Sequence, residues 1–505
     1  MKSGNAGRGS AYTFTSGTPL IVSEDCRPVV GLQTNGTEPD CRFLLLSTSL
    51  LVDRVFRYTE LLNGLARRGK VDIWTSSVDD AGELRLWKPS HAAVRSFPEV
   101  KAFREFPHNF ARRLNEFVWD YRYAPPSRIS MMKHRKKTRY ASSVRILKPP
   151  AKLLALLRTE GLLERWLENW LSAYPRSPEA EQRLRNARPD VIVSTGLFQY
   201  EQPGIFSAAK KLNIPTVAYI PSWDNISTKN RMVFNYDAYI VWNEPSKREL
   251  QDFYPQTKDR PVYVIGAPQF DIFHQKRFYQ SREDFCAGQG LDPTLPIILY
   301  AVGSPNFLKE HHGAVHLAKR IASGELGKVQ MLVRPHPIHD NAEMKEMFER
   351  YEPETKLQIT PNAGKAVHER SQDESQIIEW LNTFRHADVV VNLSSTVAID
   401  AAIFDTPVVN LDFDPQPGQA DQQLIKEINH EWTHFKPVAE SGGLFLVNNF
   451  DEMVEAIKTY LAHPELHRDE RRRMAEYVCG FLDGKCGERM ADAILHFTAM
   501  KRPQN

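Results

Sequence analysis

The stretch HADVVVNLSSTVAIDAAIFDTPVVNLDFD, residues 386–414, reads as strand, loop, helix and strand. DVVVNLSS (388–395) is a near-continuous apolar run closing in small polar residues. TVAIDAAIFD (396–405) has helical periodicity, and PVVNLDF (407–413) is apolar again. A strand apolar on both faces belongs in a parallel sheet sheathed by helices, so the unit reads as a βαβ crossover. Ser394, Ser395 and Thr396 fall where the strand ends and the helix begins. Hydroxyls and free backbone N–H groups there either make an anion site, aided by the helix dipole, or simply cap the helix. Asp400, one turn on, faces the same crevice if Thr396 does, and a carboxylate so placed can take both hydroxyls of a ribose.

Working outward, the pattern repeats. LPIILYAVGSP (295–305), VQMLVRPHP (329–337) and KLQITP (356–361) read as strands, with helices GAVHLAKRIAS (313–323), NAEMKEMFERYE (341–352) and ESQIIEWLNTFRHA (374–387) between and after them. A second series lies nearer the N-terminus: RFLLLSTS (42–49), a helix at 55–69, KVDIWTSS (70–77), RPDVIVSTG (188–196), PTVAYIPSWDN (215–225), YDAYIVWN (236–243) and PVYVIGAP (261–268). The fold class is therefore α/β, with two doubly wound parallel sheets. The expected boundaries are a flexible tail at 1–40, a first domain at 41–265, a linker at 266–293, a second domain at 294–462, and closing helices at 463–505 that pack back across the domains. Ligands of such sheets sit at the carboxyl ends of strands, so two of them facing each other make one cleft.

Composition agrees with an ordinary globular protein of 505 residues, 42% hydrophobic and 25% charged, too long for a single core. A net charge of +3 sets up no global field for nucleic acid. Five cysteines without a C-x-x-C pair suggest a reduced, intracellular compartment. No apolar run approaches the ~20 residues that span a bilayer, and the N-terminus lacks the apolar core of a signal peptide. One region departs from the average. Within an insertion at about 97–185, residues 121–159 hold eleven Lys or Arg and no Asp or Glu, followed by the amphipathic LLALLRTEGLLERWLENWL (153–171). It reads either as a solvated helical hairpin over the sheet or as a docking face for an anionic membrane or polyanionic acceptor.

Three strand-end loops of the second half suit phosphate. In RPHP (334–337), Arg334 offers a fork of donors, and His336 can donate to a phosphate or protonate a leaving group. Pro335 and Pro337 stiffen that loop. In YAVGSPN (300–306), Gly303 permits close backbone approach, and Ser304 offers its N–H and hydroxyl. With the loop at Ser394–Thr396, these argue for a nucleotide-diphosphate type of ligand.

On those residues the second half resembles the donor-binding domain of GT-B glycosyltransferases and their relatives. VRPHP, followed about fifty residues later by the opening stretch, is similar to two groups in particular. They are the CDP-glycerol glycerophosphotransferases of wall teichoic acid synthesis and the bacterial capsule transferases using CMP-activated acidic sugars. The resemblance, over roughly 190–460, implies that His336 with Pro337, and Ser394, Ser395 and Thr396, hold the donor's phosphates. It also implies a ribose contact at Asp400, seven residues before Pro407. Where the glycerophosphotransferases usually carry Asp-Tyr before the two serines, this chain has Asn392-Leu393, which favours a sugar donor.

The implied activity is metal-independent transfer of a sugar from a nucleotide-activated donor to a hydroxyl of a glycan or lipid-linked acceptor, in surface polysaccharide synthesis. It would take place in the cytoplasm or at the inner face of the membrane, with no cofactor. Glycerophosphate or polyol-phosphate transfer and nucleotide-sugar epimerisation are the alternatives. A base must come from across the cleft. PSWDNISTKNR (221–231) offers Asp224 as that base, Trp223 to stack on a sugar, and Asn225 beside them, although Asp224 could merely tie its own loop. Glu201 is the rival base. Finally, INHEWTHF (428–435) contains H-E-x-x-H, the zinc-peptidase helix signature. A helical His430 and His434 would share a face, but no third ligand is evident and the segment is explained by the GT-B reading.

Overall fold

The computed structural model describes residues 41–47, 50–76, 89, 91–99, 106–134, 141–173, 177–198, 202–359 and 373–502. The tail at 1–40, the densest part of the basic run at 135–140, and Glu201 lie outside them.

Two parallel sheets organise the chain. The first contains β1 (Cys41–Ser47), β2 (Gly69–Thr75), β3 (Ala92–Ser96), β4 (Val191–Ser194), β5 (Thr216–Tyr219), β6 (Ala238–Val241) and β7 (Val262–Val264), in the order β3-β2-β1-β4-β5-β6-β7. The second contains β8 (Ile297–Ala301), β9 (Gln330–Arg334), β10 (Thr355–Leu357), β11 (Val389–Asn392), β12 (Val408–Leu411) and β13 (Phe445–Val447), in the order β10-β9-β8-β11-β12-β13. Every neighbouring pair runs parallel. In each sheet the winding reverses beside its first strand, between β1 and β4 and between β8 and β11. In open α/β sheets the ligand crevice lies at such switch points.

The apolar runs become these strands because both their faces are covered: β4, β5, β6, β8, β11 and β12 are buried at every position. β3 differs, alternating half-buried and exposed at the sheet edge. The expected helix at 55–69 is instead two helices, Leu50–Tyr58 and Leu61–Ala66. The second one packs so closely on the last helix, Cys486–Lys501, that a Cβ on Gly64 would stand 2.7 Å from that of Ala491.

The closing helices Arg468–Cys479 and Cys486–Lys501 touch both halves. Arg471, fully buried, grips Asp405 of the second half at 2.6 Å. Asn243 of the first half donates to the carbonyls of Tyr477 and Val478 at 3.0 and 2.7 Å. Asp271 accepts from the backbone of Cys486 and Gly487 at 3.0 and 2.7 Å.

Between β3 and β4 lie five helices: His108–Tyr123, Pro126–His134, Ala141–Leu156, Glu160–Ala173 and Pro178–Ala187. Much of their charge is matched internally. Buried Arg128 pairs with Glu116 at 2.7 Å and Asp120 at 2.9 Å, and Glu164 takes Arg231 at 2.7 Å. Glu427 of the second half binds Lys133 and His134. The four described cysteines, Cys41, Cys286, Cys479 and Cys486, are free thiols.

Candidate active site

The three phosphate-friendly loops meet around Gly303. Its N–H donates to Glu310 Oε2 at 3.0 Å, and its carbonyl accepts from His339 Nε2 at 3.0 Å. Glu310 also takes the backbone N–H of Leu393, at the end of β11. The loops after β8, β9 and β11 are thus fastened together by one carboxyl and one imidazole. The sequence assigned the close approach at Gly303 to a ligand. Here the approaching group is Glu310, whose Oε1 would lie 2.1 Å from a Cβ at that position. Ser304 turns the same loop, its carbonyl accepting from Phe307 N at 3.0 Å and Leu308 N at 3.2 Å.

His336 stands half-buried at the end of β9. Its Nδ1 accepts from the N–H of Ile338 at 3.2 Å, and its carbonyl accepts from the N–H of His339 at 2.9 Å. An Nδ1 that accepts leaves the proton of the neutral ring on Nε2, a tautomer suited to donating from the outer edge. Pro337, beside it, is half-buried. Arg334 behaves differently from the expectation of a presented fork: its guanidinium is engaged by Gln358. Burial lowers its pKa, against the pull of Glu379 and Asp400.

At the end of β11, Ser394 has φ +48°, in the left-handed region, a strained choice for a side chain larger than glycine. The strain is held by partners from the following strand and helix. Ser394 N donates to Asn410 Oδ1 at 2.7 Å, and its hydroxyl donates to Asn429 Oδ1 at 2.8 Å. Asn429 in turn donates to Asp412 at 3.0 Å. Ser395 Oγ accepts from Val397 N at 3.4 Å, a helix-capping geometry, while Thr396 is exposed and makes no side-chain cap.

Asp400 does not share that exposure. Only 7% accessible, it lies by Arg54 from the first half and Arg334 from the second. Burial pushes its carboxyl up to about 7 despite both arginines. Arg54 itself stacks over Trp380 at 4.3 Å. The expected open ribose ligand is thus a buried carboxyl at the junction of the halves.

The loop after β5 holds Asp224. Its Oδ1 accepts from the Ser222 hydroxyl and from Asn225 Nδ2 at 3.0 Å, and its Oδ2 from Thr228 Oγ1 at 3.1 Å. Burial works to raise its pKa, but His434, Lys229 and the two hydroxyls outweigh it and the value is lowered. His434 is pushed down to about 4, mainly by burial, so at neutral pH its ring is uncharged and Lys229 with the hydroxyls keeps Asp224 ionised. Trp223 is 5% accessible and meets His434 edge-on at 5.1 Å, which corrects its expected role as an open stacking platform. The ring of His434 continues to Trp432 at 5.7 Å, and Trp432 to Phe307 at 6.1 Å. A row of rings thus links the Asp224 loop to the loop of Gly303.

The H-E-x-x-H reading required one helix through both histidines. The helix Gln422–His430 stops at the first of them. His430 Nε2 bonds Asp412 at 2.8 Å, whereas His434 packs on Trp223, so the pair does not share a helical face. Among the described residues no cluster of three or more His, Cys, Asp or Glu is arranged to hold a metal ion.

Glu310 and Arg54 were not singled out from sequence. Their roles depend on tertiary partners, Leu393 for Glu310 and Asp400 and Trp380 for Arg54, and no local pattern marks them.

A family model described as CDP-Glycerol:Poly(glycerophosphate) glycerophosphotransferase matches residues 221–496. That span opens at the loop carrying Asp224 and takes in every second-half loop described above. No curated protein sequence matches the chain. Among solved structures, the wall teichoic acid polymerase TagF is similar over 91% of this chain and 89% of its own, at 11% identity and a TM-score of 0.46. The UDP-GlcNAc 2-epimerase from Neisseria meningitidis bound to UDP-GlcNAc is similar over 91% and 100%, at 11% identity and a TM-score of 0.48. MurG from Acinetobacter baumannii is similar over 90% and 99%, at 11% identity and a TM-score of 0.42.

Proposed function

The chain belongs to the CDP-glycerol:poly(glycerophosphate) glycerophosphotransferase family, and from that premise we propose that it is a GT-B transferase that moves a sugar from a nucleotide-activated donor to a hydroxyl of a glycan or lipid-linked acceptor. The observation that carries the reading is the ionised Asp224 of the first half, joined through the ring of His434 to the phosphate-friendly loops of the second.

The step follows from the placement of these groups. Asp224 takes the proton of the acceptor hydroxyl as its oxygen bonds to the donor's anomeric carbon. The bond from that carbon to the nucleotide's phosphate oxygen breaks, and the electron pair leaves with the nucleotide. His336, through Nε2–H, and the backbone and hydroxyls at Ser394–Thr396 meet the charge that develops on the departing phosphate. Arg334 acts from behind as a buried positive charge, and Asp400 with Arg54 fixes the floor under the nucleoside.

A second reading, transfer of glycerol phosphate with attack at phosphorus, is favoured by the family's own description. The same base and phosphate loops serve both. Asn392-Leu393 ahead of the serines argues for the sugar.

The insertion carries a further part of the reading, peripheral contact with an anionic membrane. Eight of the twelve exposed large hydrophobics among the described residues lie between Phe106 and Trp166. Leu153, Leu156, Leu157 and Leu162 stand among the exposed cations Lys148, Lys152, Arg158 and Arg165. Apolar side chains ringed by cations suit a headgroup boundary. No helix among the described residues is long and apolar enough to cross a membrane.

The deciding experiment is a thermal-shift panel of UDP, GDP, CDP, CMP and dTDP. A nucleotide at a hundred times its dissociation constant stabilises by roughly 2.7 kcal/mol. A shift with one nucleotide supports the reading and names the donor's base, and silence across the panel sinks it.

A further inference from the structure

A cavity distinct from the donor loops lies where the two halves and the closing helices meet. Trp223 from the first half, Glu249 from the helix Glu244–Phe253, and Thr433 and His434 from the second half line it, with Tyr477 of the closing helices. Four of these residues carry a buried polar atom without a hydrogen-bond partner: Trp223 Nε1, Glu249 Oε1, Thr433 Oγ1 and His434 Nδ1. A buried unpaired polar atom costs about 1–3 kcal/mol, so four around one cavity make an arrangement that a ligand would repay.

We propose that this cavity seats the terminal hydroxyl-bearing unit of the acceptor, an uncharged polyol or sugar held through its hydroxyls beside Asp224. The inference rests on the transfer reading above and supplies its acceptor class. The atoms define the ligand chemistry. An indole N–H only donates, a hydroxyl does both, and a neutral imidazole nitrogen does one or the other. Burial pushes the Glu249 carboxyl up to about 8, against the neighbouring Ser227 hydroxyl, and Asp224 and Asp252 add to the rise. At neutral pH it is therefore a protonated acid, able to donate and to accept. The four unpaired groups are uncharged donors and acceptors and match hydroxyls. Asp252, which also lines the cavity, and the nearby Asp224 disfavour a phosphate.

The test is direct binding to the full chain, read by saturation-transfer NMR with glycerol, ribitol and methyl α-glucoside as probes. Wild type is expected to receive saturation transfer with at least one of them. Thr433→Val, which removes one polar group and keeps the shape, and Trp223→Phe, which removes the indole N–H together with part of the ring, should each weaken that probe at least tenfold. Glu249→Gln, which retains both a donor and an acceptor, should bind nearly as well as wild type. Near-ultraviolet circular dichroism of each variant checks the fold. CDP and UDP binding, measured by calorimetry on the same samples, reads the donor assignment separately. Absence of transfer to all three probes, or undiminished binding in both Thr433→Val and Trp223→Phe, overturns the proposal.

Discussion

Ser130 donates its hydroxyl to Glu427 at 2.6 Å, across 297 residues of chain. Lys133 and His134 of the same helix reach the same carboxylate, His134 at 3.0 Å. The helix Pro126–His134 is thereby clasped to the helix Gln422–His430 of the second half. Part of the basic run that read from sequence either as a solvated hairpin or as a docking face for an anionic surface serves as an internal fastening.

Glu427→Gln is expected to destabilise the chain by about 1–3 kcal/mol at pH 7. This is less than the cost of breaking a fully buried pair, because the Lys133 side chain is 59% exposed. Burial tends to raise the Glu427 carboxyl, but Lys133, Ser130, Gln423 and His134 bring it down to about 2. A depressed carboxyl contributes its stability above the unfolded value near 4.5 and loses it as pH falls toward 2. Urea titrations of both proteins should therefore differ at pH 7 and converge near pH 2. A constant difference would mean that the carboxylate's charge plays no part.

His336→Ala should lower transfer at least a hundredfold while the melting temperature stays near wild type, because the ring is only half-buried and the N–H of Ile338 that it accepts lies in an exposed turn where water can replace it. A variant with full turnover would remove His336 from the donor's phosphates. His336→Gln, which keeps a donor at the ring's outer edge, should recover part of the lost rate.

Asp224→Asn should leave nucleotide affinity unchanged and reduce turnover by about 10²–10⁴, the usual share of a general base. The base must be ionised to act. Because its pKa is lowered, the acid limb of the rate profile should fall below the ordinary carboxylate range. An acid limb near neutrality would point to a different base.

The fold was legible because both sheets advertise themselves. Strands such as β8 and β11 are apolar at every position, so a βαβ reading needs little more than their spacing. β3 was missed because an edge strand buries one face only partly and has no such run. The strand-end loops proposed for phosphate were legible for a similar reason, since strand-end serines, a glycine and a proline-flanked histidine are local signals. Partners were not. That Gly303 faces Glu310, that Asp400 is sunk beside Arg54, and that His434 ends on Trp223 are facts of tertiary packing that no window of sequence contains. The H-E-x-x-H match shows the opposite limit: the spacing was present, but the helix stopped at His430.

Glu310 offers the most discriminating test of the loop assembly. Its carboxyl is buried and bound by the backbone N–H groups of Gly303 and Leu393, yet burial dominates and pushes its pKa up to about 8. The folded protein therefore keeps this proton through neutral pH, whereas the unfolded chain releases it near 4.5. The folded state binds more protons between those values, so this group's contribution is complete below about pH 4.5 and is lost as pH rises through 8. At 1.36 kcal/mol per pH unit the slope amounts to about 4–5 kcal/mol over that window. Glu310→Gln keeps an oxygen for the two N–H groups and removes the titration. It should match wild type near pH 4.5 and exceed it near pH 8, with the gap between the two stability curves opening steadily from pH 5 to 8. Glu310→Ala leaves both N–H groups unpaired and should cost about 1–3 kcal/mol for each at any pH. Because the same carboxyl joins the ends of β8 and β11, the alanine variant should also lose nucleotide binding, and the glutamine variant should retain it. Parallel stability curves for wild type and Glu310→Gln across pH 5–8 would show that the proton is not held there. Intact nucleotide affinity in Glu310→Ala would separate this carboxyl from the donor loops altogether.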